Sequence, residues 1–216
     1  MNENSYLPLL EEMISEQLVD RGITKERILE AFRSNPRHLF VSDRSQKEAY
    51  ADRPLPIGSG QTISQPYIVA LMTDTLDPAP DDSILEIGTG SGFQTAILAA
   101  LAGRVFTVER KGGLLEEAKE VHKKLGLKNI RYREGDGTKG WKEFSPFDGI
   151  LGTGSVPEVP EPFIEQLADG GRMVLPVGGR RQQRLTLLKK TDGDTTRQES
   201  SYCSFLPLIG ENGWDE

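Results

Sequence analysis

Residues 83–96 read Ser83-Ile84-Leu85-Glu86-Ile87-Gly88-Thr89-Gly90-Ser91-Gly92-Phe93-Gln94-Thr95-Ala96. A short apolar run enters a glycine-rich turn, and the turn leads into residues 95–101, which are good helix formers. Glycine lets the backbone approach a ligand closely, and the start of a helix presents free N–H groups. Strand, glycine turn and helix therefore predict the opening unit of a nucleotide-binding sheet. The alternative is a glycine turn that serves tight packing alone.

The spacing of the glycines narrows the class of ligand. The dinucleotide pattern is G-x-G-x-x-G with a pyrophosphate at the helix start, but here Gly92 comes one residue early and Phe93 takes its place. Glu86, just before the turn, would repel a pyrophosphate and attract an ammonium group. Residues 104–109 predict the next strand, which ends in Glu109, a position where a carboxylate accepts hydrogen bonds from both ribose hydroxyls. A ribose, an amino group and no phosphate favour S-adenosylmethionine over a nicotinamide dinucleotide.

The composition excludes several classes of protein. The chain has 216 residues with a formal net charge of -7, enough length for one α/β domain with a full core. The negative charge argues against nonspecific binding to nucleic acid, which needs a basic face. Cys203 is the single cysteine, so a disulfide framework and a cysteine zinc site are excluded. We predict no metal ligands. Without a signal peptide or a stretch of membrane-spanning length, we expect a cytoplasmic protein with no membrane partner.

The amino-terminal region predicts helices that come before the first core strand. Residues 6–19 carry apolar residues at close to helical spacing, and Gly22 ends this helix. Thr24 is the predicted N-cap of a second helix, which Pro36 ends. These helices form an N-terminal extension of the sheet, on the side where a methyltransferase commonly meets its substrate.

An irregular segment follows the predicted helices. Residues 49–66 hold three prolines and two glycines, which exclude a regular helix or a central strand. Ser64 fits two roles here. It is placed to N-cap a helix over Pro66–Leu76, and it also offers a hydroxyl to a substrate if the segment crosses the cofactor. The two roles are compatible.

Strands and helices alternate along the rest of the chain, and the carboxyl end is rich in strands. The predicted strands after residue 109 are 129–134, 147–151, 172–177, 184–190 and 201–208, and the predicted helices are 113–125 and 163–167. Asp136 follows the first of these strands, where its carboxylate either reaches the exocyclic amine of adenine or belongs to a plain Asp-Gly turn. The alternation predicts an α/β fold with a doubly wound, mostly parallel seven-stranded sheet.

Many segments together match one family's pattern. They are Pro36-Arg37 with Phe40-Val41, Ala49-Tyr50 with Asp52, Pro54-Leu55-Pro56-Ile57-Gly58, Gly60-Gln61-Thr62-Ile63-Ser64-Gln65-Pro66, the run 85–92, Gly135-Asp136-Gly137, Pro146-Phe147-Asp148, Gln166-Leu167, Pro176-Val177-Gly178, Phe205-Leu206-Pro207-Leu208 and Gly213-Trp214. With these residues the chain resembles the protein-L-isoaspartate O-methyltransferases over most of its length. The glycine turn is common to many methyltransferases, whereas the run 60–66 is the family's own mark.

The resemblance implies a Rossmann-like, class I methyltransferase. Its implied activity is transfer of a methyl group from S-adenosylmethionine to the α-carboxylate of L-isoaspartyl residues in damaged proteins, which initiates their repair and releases S-adenosylhomocysteine. Ser64 matches the catalytic position. The implied cofactor-binding residues are Thr62, Ile63, Ser64, Glu86, Gly88, Thr89, Gly90, Ser91, Gly92, Glu109, Arg110, Asp136 and Gly137. The implied substrate-side residues are Pro56, Ile57, Gly58, Gln61, Thr62 and Thr153.

This division of roles assigns residues 1–76 to an N-terminal helical and substrate-side extension. It assigns residues 77–216 to the cofactor-binding core of a single domain spanning 1–216. The expected partners are damaged proteins and peptides that contain isoaspartyl residues, with no nucleic acid, and we expect a monomer.

The implied chemistry needs no catalytic histidine. A carboxylic acid with a pKa near ~4 is ionised at neutral pH, so its oxygen attacks the methyl group directly once both are aligned in a dry site. We therefore interpret His38 as a helix-end residue and His122 as a surface helix residue. Cys203 is interpreted as a core residue at a strand position.

The chain departs from the family's pattern at one loop, where Gly152-Thr153-Gly154-Ser155 replaces the usual Thr-Ala-Ala. The extra glycine is expected to loosen this loop beside the cofactor. Two alternatives stay open: a methyltransferase on the same scaffold that acts on RNA or a small molecule, and a catalytically silent cofactor-binding module. The negative charge and the run 60–66 weigh against the first, and the intact Ser64 segment weighs against the second.

Overall fold

The structure, a computed structural model, describes residues 6–216. Its strands form a two-stranded and a seven-stranded sheet. The strands are β1 (Leu55–Gly58), β2 (Gln61–Ile63), β3 (Ser83–Ile87), β4 (Arg104–Glu109), β5 (Ile130–Glu134), β6 (Phe147–Gly152), β7 (Leu167–Gly178), β8 (Gln183–Thr191) and β9 (Asp194–Cys203). The α-helices are α1 (Leu7–Glu12), α2 (Glu26–Ser34), α3 (Pro66–Leu76), α4 (Phe93–Leu101), α5 (Gly112–Lys124) and α6 (Glu161–Gln166).

The large sheet has the strand order β5-β4-β3-β6-β7-β8-β9. Strands β3 to β7 run parallel to one another, whereas β8 pairs antiparallel with both β7 and β9. This confirms the predicted doubly wound, mostly parallel seven-stranded sheet. The chain runs outward from β3 in one direction and then from β6 in the other. Ligands bind beyond the carboxyl ends of the strands at such a reversal.

The N-terminal helices pack over one face of the sheet and confirm the predicted helical extension. α1 continues through Met13–Leu18 as a π-helix, and Gly22 ends the segment with a φ of 93°. In the core beneath, Phe32 of α2 meets Phe93 of α4 edge to face, with ring centroids 5.6 Å apart. No helix within residues 6–216 is long and apolar enough to cross a membrane.

Two predicted helix caps are wrong. Lys25, not Thr24, occupies the N-cap position of α2, where its ammonium group binds Asp77 across 2.8 Å. Gln65, not Ser64, occupies the N-cap position of α3, and no side chain caps that helix. Pro66 explains the second error, because the residue before a proline is disfavoured in the helical conformation. Gln65, with a ψ of 137°, is therefore the extended residue directly before the helix.

The segment 49–66 contains a small hairpin that the sequence reasoning missed. β1 pairs antiparallel with β2, and the connection passes through Ser59 and Gly60, both with positive φ, at 50° and 70°. Two residues with positive φ make the tight turn whose twist suits a hairpin. The segment is thus neither a helix nor a strand of the central sheet, as predicted.

The last predicted strand, 201–208, is wrong in its position, because β9 ends at Cys203. Asp192 and Gly193, with φ of 52° and 84°, close a tight hairpin between β8 and β9, so the strand begins much earlier. β7 also begins earlier than predicted, at Leu167. Gly170 and Gly171 lie at an irregularity in its register with β6.

Candidate active site

A cavity of about 690 Å³ opens at the carboxyl ends of β3 and β4. Its wall includes residues 61–65, the strip that carries Ser64. The other parts of the wall are the glycine turn, the ends of β4 and β6, and the segment 202–209. This volume falls within the range of roughly 300–1,000 Å³ that is usual for small-molecule sites. Most of the predicted site residues belong to these same elements.

The glycine turn forms one wall of the cavity. Gly88, Gly90 and Gly92 have φ of 96°, 52° and 84°, a region that side chains disfavour. The Gly88 N–H donates to the carbonyl of Val108 across 2.8 Å, which fixes the turn beside β4. α4 begins at Phe93, directly after the turn. The cavity therefore meets bare backbone and the free N–H groups of a helix start.

Glu109 lies at the end of β4, where its side chain lines the cavity and is 8% exposed. Its Oε2 accepts a hydrogen bond from the Gly90 N–H and its Oε1 accepts one from the Lys111 N–H, each across 2.9 Å. A carboxylate oxygen has further acceptor capacity. The two backbone bonds thus hold the carboxylate in one orientation while sites remain for the hydroxyl groups of a ligand.

Glu86 does not line the cavity and is fully buried. Its Oε2 accepts hydrogen bonds from the hydroxyls of Thr95 and Thr107, across 2.5 and 2.6 Å, and its Oε1 has no partner among residues 6–216. The Thr107 hydroxyl lies 2.6 Å from that of Thr89, which does line the cavity. Burial raises the pKa of Glu86 to about 8, against the opposing effect of the two threonines. Glu86 is therefore linked to the cavity through the hydroxyl groups of Thr107 and Thr89.

Asp136 also lies outside the cavity wall, whereas Gly137 lines it. The Asp136 Oδ1 accepts hydrogen bonds from the N–H and the hydroxyl of Thr138, and Oδ2 accepts one from the Glu211 N–H across 2.9 Å. Burial alone would raise the pKa of Asp136, but these donors reverse the effect and lower it. The side chain thereby fastens the carboxyl-terminal segment to the end of β5.

Ser64 is half-buried and lines the cavity. Its backbone carbonyl accepts a hydrogen bond from Nη2 of Arg37 across 2.9 Å. The guanidinium, which is fully buried, also donates to the carbonyls of Ala49 and Arg53. Burial lowers the pKa of Arg37 to about 10, so the side chain is still a cation at neutral pH. One buried cation thus fixes the strip that carries Ser64.

The hairpin β1–β2 is tied to the glycine-turn side of the cavity. Lys111 Nζ donates to the carbonyl of Ser59 at the hairpin turn, across 2.8 Å. A Cβ atom on Gly90 would lie 3.6 Å from the Ile57 side chain, an ordinary van der Waals distance. The hairpin therefore covers the turn, although Pro56, Ile57 and Gly58 do not themselves line the cavity.

The loop that departs from the family's pattern is fastened on both sides, contrary to the expected loosening. The Thr153 N–H donates to the carbonyl of Ile87 across 2.9 Å, at the end of β3. On the other side, the Ser155 N–H donates to the Leu206 carbonyl across 2.8 Å. A Cβ on Gly154 would lie 2.7 Å from Cγ of Leu208. Glycine at 154 lets the carboxyl-terminal segment pack against the loop.

The structure brings together twelve of the predicted site residues around one cavity. They are Gln61, Thr62, Ile63, Ser64, Gly88, Thr89, Gly90, Ser91, Glu109, Arg110, Gly137 and Thr153. Outside the cavity wall lie Pro56, Ile57, Gly58, Glu86, Gly92 and Asp136.

The sequence reasoning missed the residues from 202 to 209, which line the cavity and include the half-buried Cys203. At the same opening, Arg110 forms an ion pair with Glu216, and the guanidinium of Arg180 lies over the Trp214 ring, 5.0 Å from its centroid. Both arginines line the cavity.

The prediction that His122 is a surface residue is wrong, because its side chain is fully buried. Its Nε2 lies 2.8 Å from the carbonyl oxygen of Gly92 and its Nδ1 lies 2.9 Å from the hydroxyl of Tyr132. The sequence held a signal for this. His122 follows Leu115 and Ala118 at helical spacing on the buried face of α5.

The sheet order, the glycine turn and the carboxylate at the end of β4 define a class of enzyme. That class is the class I methyltransferases, which use S-adenosylmethionine, and the protein is a member of it. Within that class the chain belongs to the protein-L-isoaspartate(D-aspartate) O-methyltransferase family, whose family model matches residues 10–213.

Curated relatives and solved structures agree with this assignment. The chain is 54% identical to the protein-L-isoaspartate O-methyltransferase of Trichlorobacter lovleyi and 52% identical to that of Syntrophus aciditrophicus, each alignment covering 94% of both chains. A solved protein-L-isoaspartate O-methyltransferase is 30% identical with a TM-score of 0.83, covering 95% of this chain and 66% of the other. A putative Plasmodium falciparum member, in complex with S-adenosyl-L-homocysteine, shares the fold with a TM-score of 0.79 at 24% identity, covering 94% of this chain and 97% of the other.

Proposed function

We propose that this protein transfers a methyl group from S-adenosylmethionine to the α-carboxylate of L-isoaspartyl residues in damaged proteins, with Ser64 as the residue that orients the carboxylate. Family membership supports the activity. One observation supports the assignment of roles: Ser64 and Glu109 line the same cavity. Ser64 lies in the strip proposed to meet the substrate, and Glu109 lies at the end of β4, where the cofactor is proposed to bind.

The residues of the cavity fit this cofactor. Glu109 has acceptor capacity for the two ribose hydroxyls and is held in place by the N–H groups of Gly90 and Lys111. The glycine turn offers backbone without side chains, and Gly137 brings a third chain segment close to β3, since a Cβ there would lie 2.7 Å from Ile87. We propose direct cofactor contacts for the predicted residues that line the cavity, and supporting roles for Glu86, Gly92 and Asp136.

The reaction needs alignment more than proton transfer. S-adenosylmethionine supplies an electrophilic methyl group on a sulfonium centre. The attacking carboxylate has a pKa near ~4 and is already ionised at neutral pH, and no histidine lines the cavity within residues 6–216. The Ser64 hydroxyl donates a hydrogen bond to one carboxylate oxygen, so that the other oxygen lies in line with the methyl group. Alignment of this kind contributes roughly 7–11 kcal/mol at best.

The proposal includes the organisation of the chain. Residues 1–76 supply the substrate side and residues 77–216 hold the cofactor, within a single domain over 1–216. The substrates are damaged proteins and peptides that contain isoaspartyl residues, with substrate-side contacts from Pro56 to Gly58, Gln61, Thr62 and Thr153. We further propose a monomer that acts in the cytoplasm and binds no nucleic acid.

A pair of peptides tests the proposed function. Labelled S-adenosylmethionine is incubated with the protein and with two peptides of one sequence, one containing L-isoaspartate and the other L-aspartate. We expect label only in the isoaspartyl peptide, as a base-labile ester. Tight cofactor binding without transfer to the isoaspartyl peptide would instead support a silent binding module. Transfer to RNA or a small molecule alone would support the other alternative.

A further inference from the structure

We propose that His122 is a positioning residue that holds the glycine turn in its cofactor-binding conformation through the carbonyl of Gly92. The inference rests on the proposed cofactor site, and it assigns a role to a side chain that the reaction itself does not use. His122 lies on α5, outside the cavity wall, so it acts on the cofactor only through the backbone of the turn.

The tautomer of His122 follows from its two partners. The carbonyl oxygen of Gly92 only accepts hydrogen bonds, so Nε2, 2.8 Å away, carries the proton. Nδ1 of the neutral ring then accepts a hydrogen bond from the Tyr132 hydroxyl across 2.9 Å. Burial lowers the pKa of His122 against the effect of the Gly92 contact, which agrees with a neutral ring. The ring also stacks on Tyr132, with centroids 5.8 Å apart.

The Gly92 carbonyl lies where the glycine turn meets the first turn of α4. It accepts the first hydrogen bond of the helix, from the Ala96 N–H across 2.9 Å, in addition to the bond from His122. A trans peptide group is planar, with its C=O and N–H pointing in opposite directions. A carbonyl that is held by α5 on one side therefore aims the Phe93 N–H to the other side, where it donates to Oγ of Ser91 across 3.3 Å. Ser91 and Phe93 both line the cavity there.

The packing around Gly92 leaves no room for a side chain at this position. A Cβ atom on this residue would lie 2.5 Å from Nε2 of His122 and 2.9 Å from Cβ of Ala118. The glycine allows α5 to approach the turn closely, and His122 uses that approach to make a directional bond. In its absence the buried carbonyl would lose a partner, and the turn would sample other conformations that bind the cofactor less well.

The test measures cofactor binding and turnover separately. His122→Leu keeps a similar side-chain volume and removes both ring nitrogens. His122→Gln instead places an amide N–H within reach of the Gly92 carbonyl. We expect His122→Leu to raise the dissociation constant for S-adenosylhomocysteine about tenfold, with kcat at saturating cofactor and KM for peptide unchanged. His122→Gln should restore most of the affinity. Lys123→Leu, on the exposed side of the same helix, is the matched control.

Two further measurements test the role of His122. Amide hydrogen exchange of residues 90–94 should accelerate in His122→Leu while that of β3 does not change. If His122→Leu does not fold, Tyr132→Phe removes only the hydroxyl that orients the ring, and a smaller rise of about threefold in the dissociation constant is expected. A dissociation constant within error of the wild type in the folded variants overturns the proposal. Because the binding assay contains no peptide, it is independent of the result that tests the proposed substrate.

Discussion

Nη2 of Arg37 donates a hydrogen bond to the backbone carbonyl of Ser64 across 2.9 Å, although the two residues are 27 positions apart in the chain. The guanidinium is fully buried and donates to two more carbonyls, those of Ala49 and Arg53. The position of the proposed catalytic serine therefore depends on a buried cation in the N-terminal extension.

Replacement of Arg37 tests this dependence. Arg37→Met fills a similar volume but leaves buried carbonyls without a donor, so the free energy of unfolding should fall by about 2–4 kcal/mol. kcat/KM for an isoaspartyl peptide should fall as well, because the Ser64 strip loses its support. Urea unfolding and peptide kinetics measure both effects. Arg44→Met, at an exposed position, is the control and should change neither.

Ser64→Ala separates catalysis from folding. Since the Ser64 side chain does not cap α3, the free energy of unfolding should stay close to the wild-type value. Turnover should fall by about one to three orders of magnitude because the substrate carboxylate loses an orienting hydrogen bond. Cofactor affinity, measured by titration calorimetry, should be nearly unchanged. An equal loss of turnover and cofactor affinity would contradict the proposed role, and Ser42→Ala serves as an exposed control.

Glu109→Ala should primarily weaken the binding of the cofactor. Loss of the two hydrogen bonds that the ribose hydroxyls donate to this carboxylate is expected to weaken binding of S-adenosylhomocysteine by about 2–4 kcal/mol, or roughly 30- to 1,000-fold. The measurement is equilibrium binding in the absence of peptide. Glu120→Gln, on the exposed side of α5, is the control. Unaltered affinity would refute the ribose role of Glu109.

Glu86 makes stability depend on pH. Its pKa rises from 4.5 to about 8 in the folded protein, mainly because of burial. A carboxyl group with a raised folded-state pKa contributes stability that is present below pH 4.5 and is lost as the pH rises through 8. We expect the free energy of unfolding to fall by up to about 5 kcal/mol over this window.

Glu86→Gln isolates that contribution, because an amide does not ionise. Unfolding free energies measured from pH 5 to pH 9 should vary less in this variant than in the wild type. Glu117→Gln, which changes an exposed carboxylate, should keep the full pH dependence. Parallel curves for the wild type and Glu86→Gln would show that burial does not perturb this group.

The sequence predicts the parts of the site that local patterns encode. The glycine turn, the strand before it, the helix after it and Glu109 at the end of the next strand are defined by spacing along a few residues, so the sequence predicts their positions correctly. The sequence does not give Arg37 and His122 their observed partners, because these are mostly backbone carbonyls distant in the chain. Even so, the position of His122 on the buried face of α5 follows from helical periodicity. The start of β9 differs from the prediction because the prediction leaves out the tight turn at Asp192 and Gly193.

The ion pair between Arg110 and Glu216 has a practical consequence for experiments. Both Arg110 and Arg180 line the cavity, and they hold the final residues of the chain beside its opening. A purification tag or fusion partner joined after Glu216 would start beside the opening of the cavity. Such a fusion is expected to slow turnover, and proteolytic removal of the added segment should restore it.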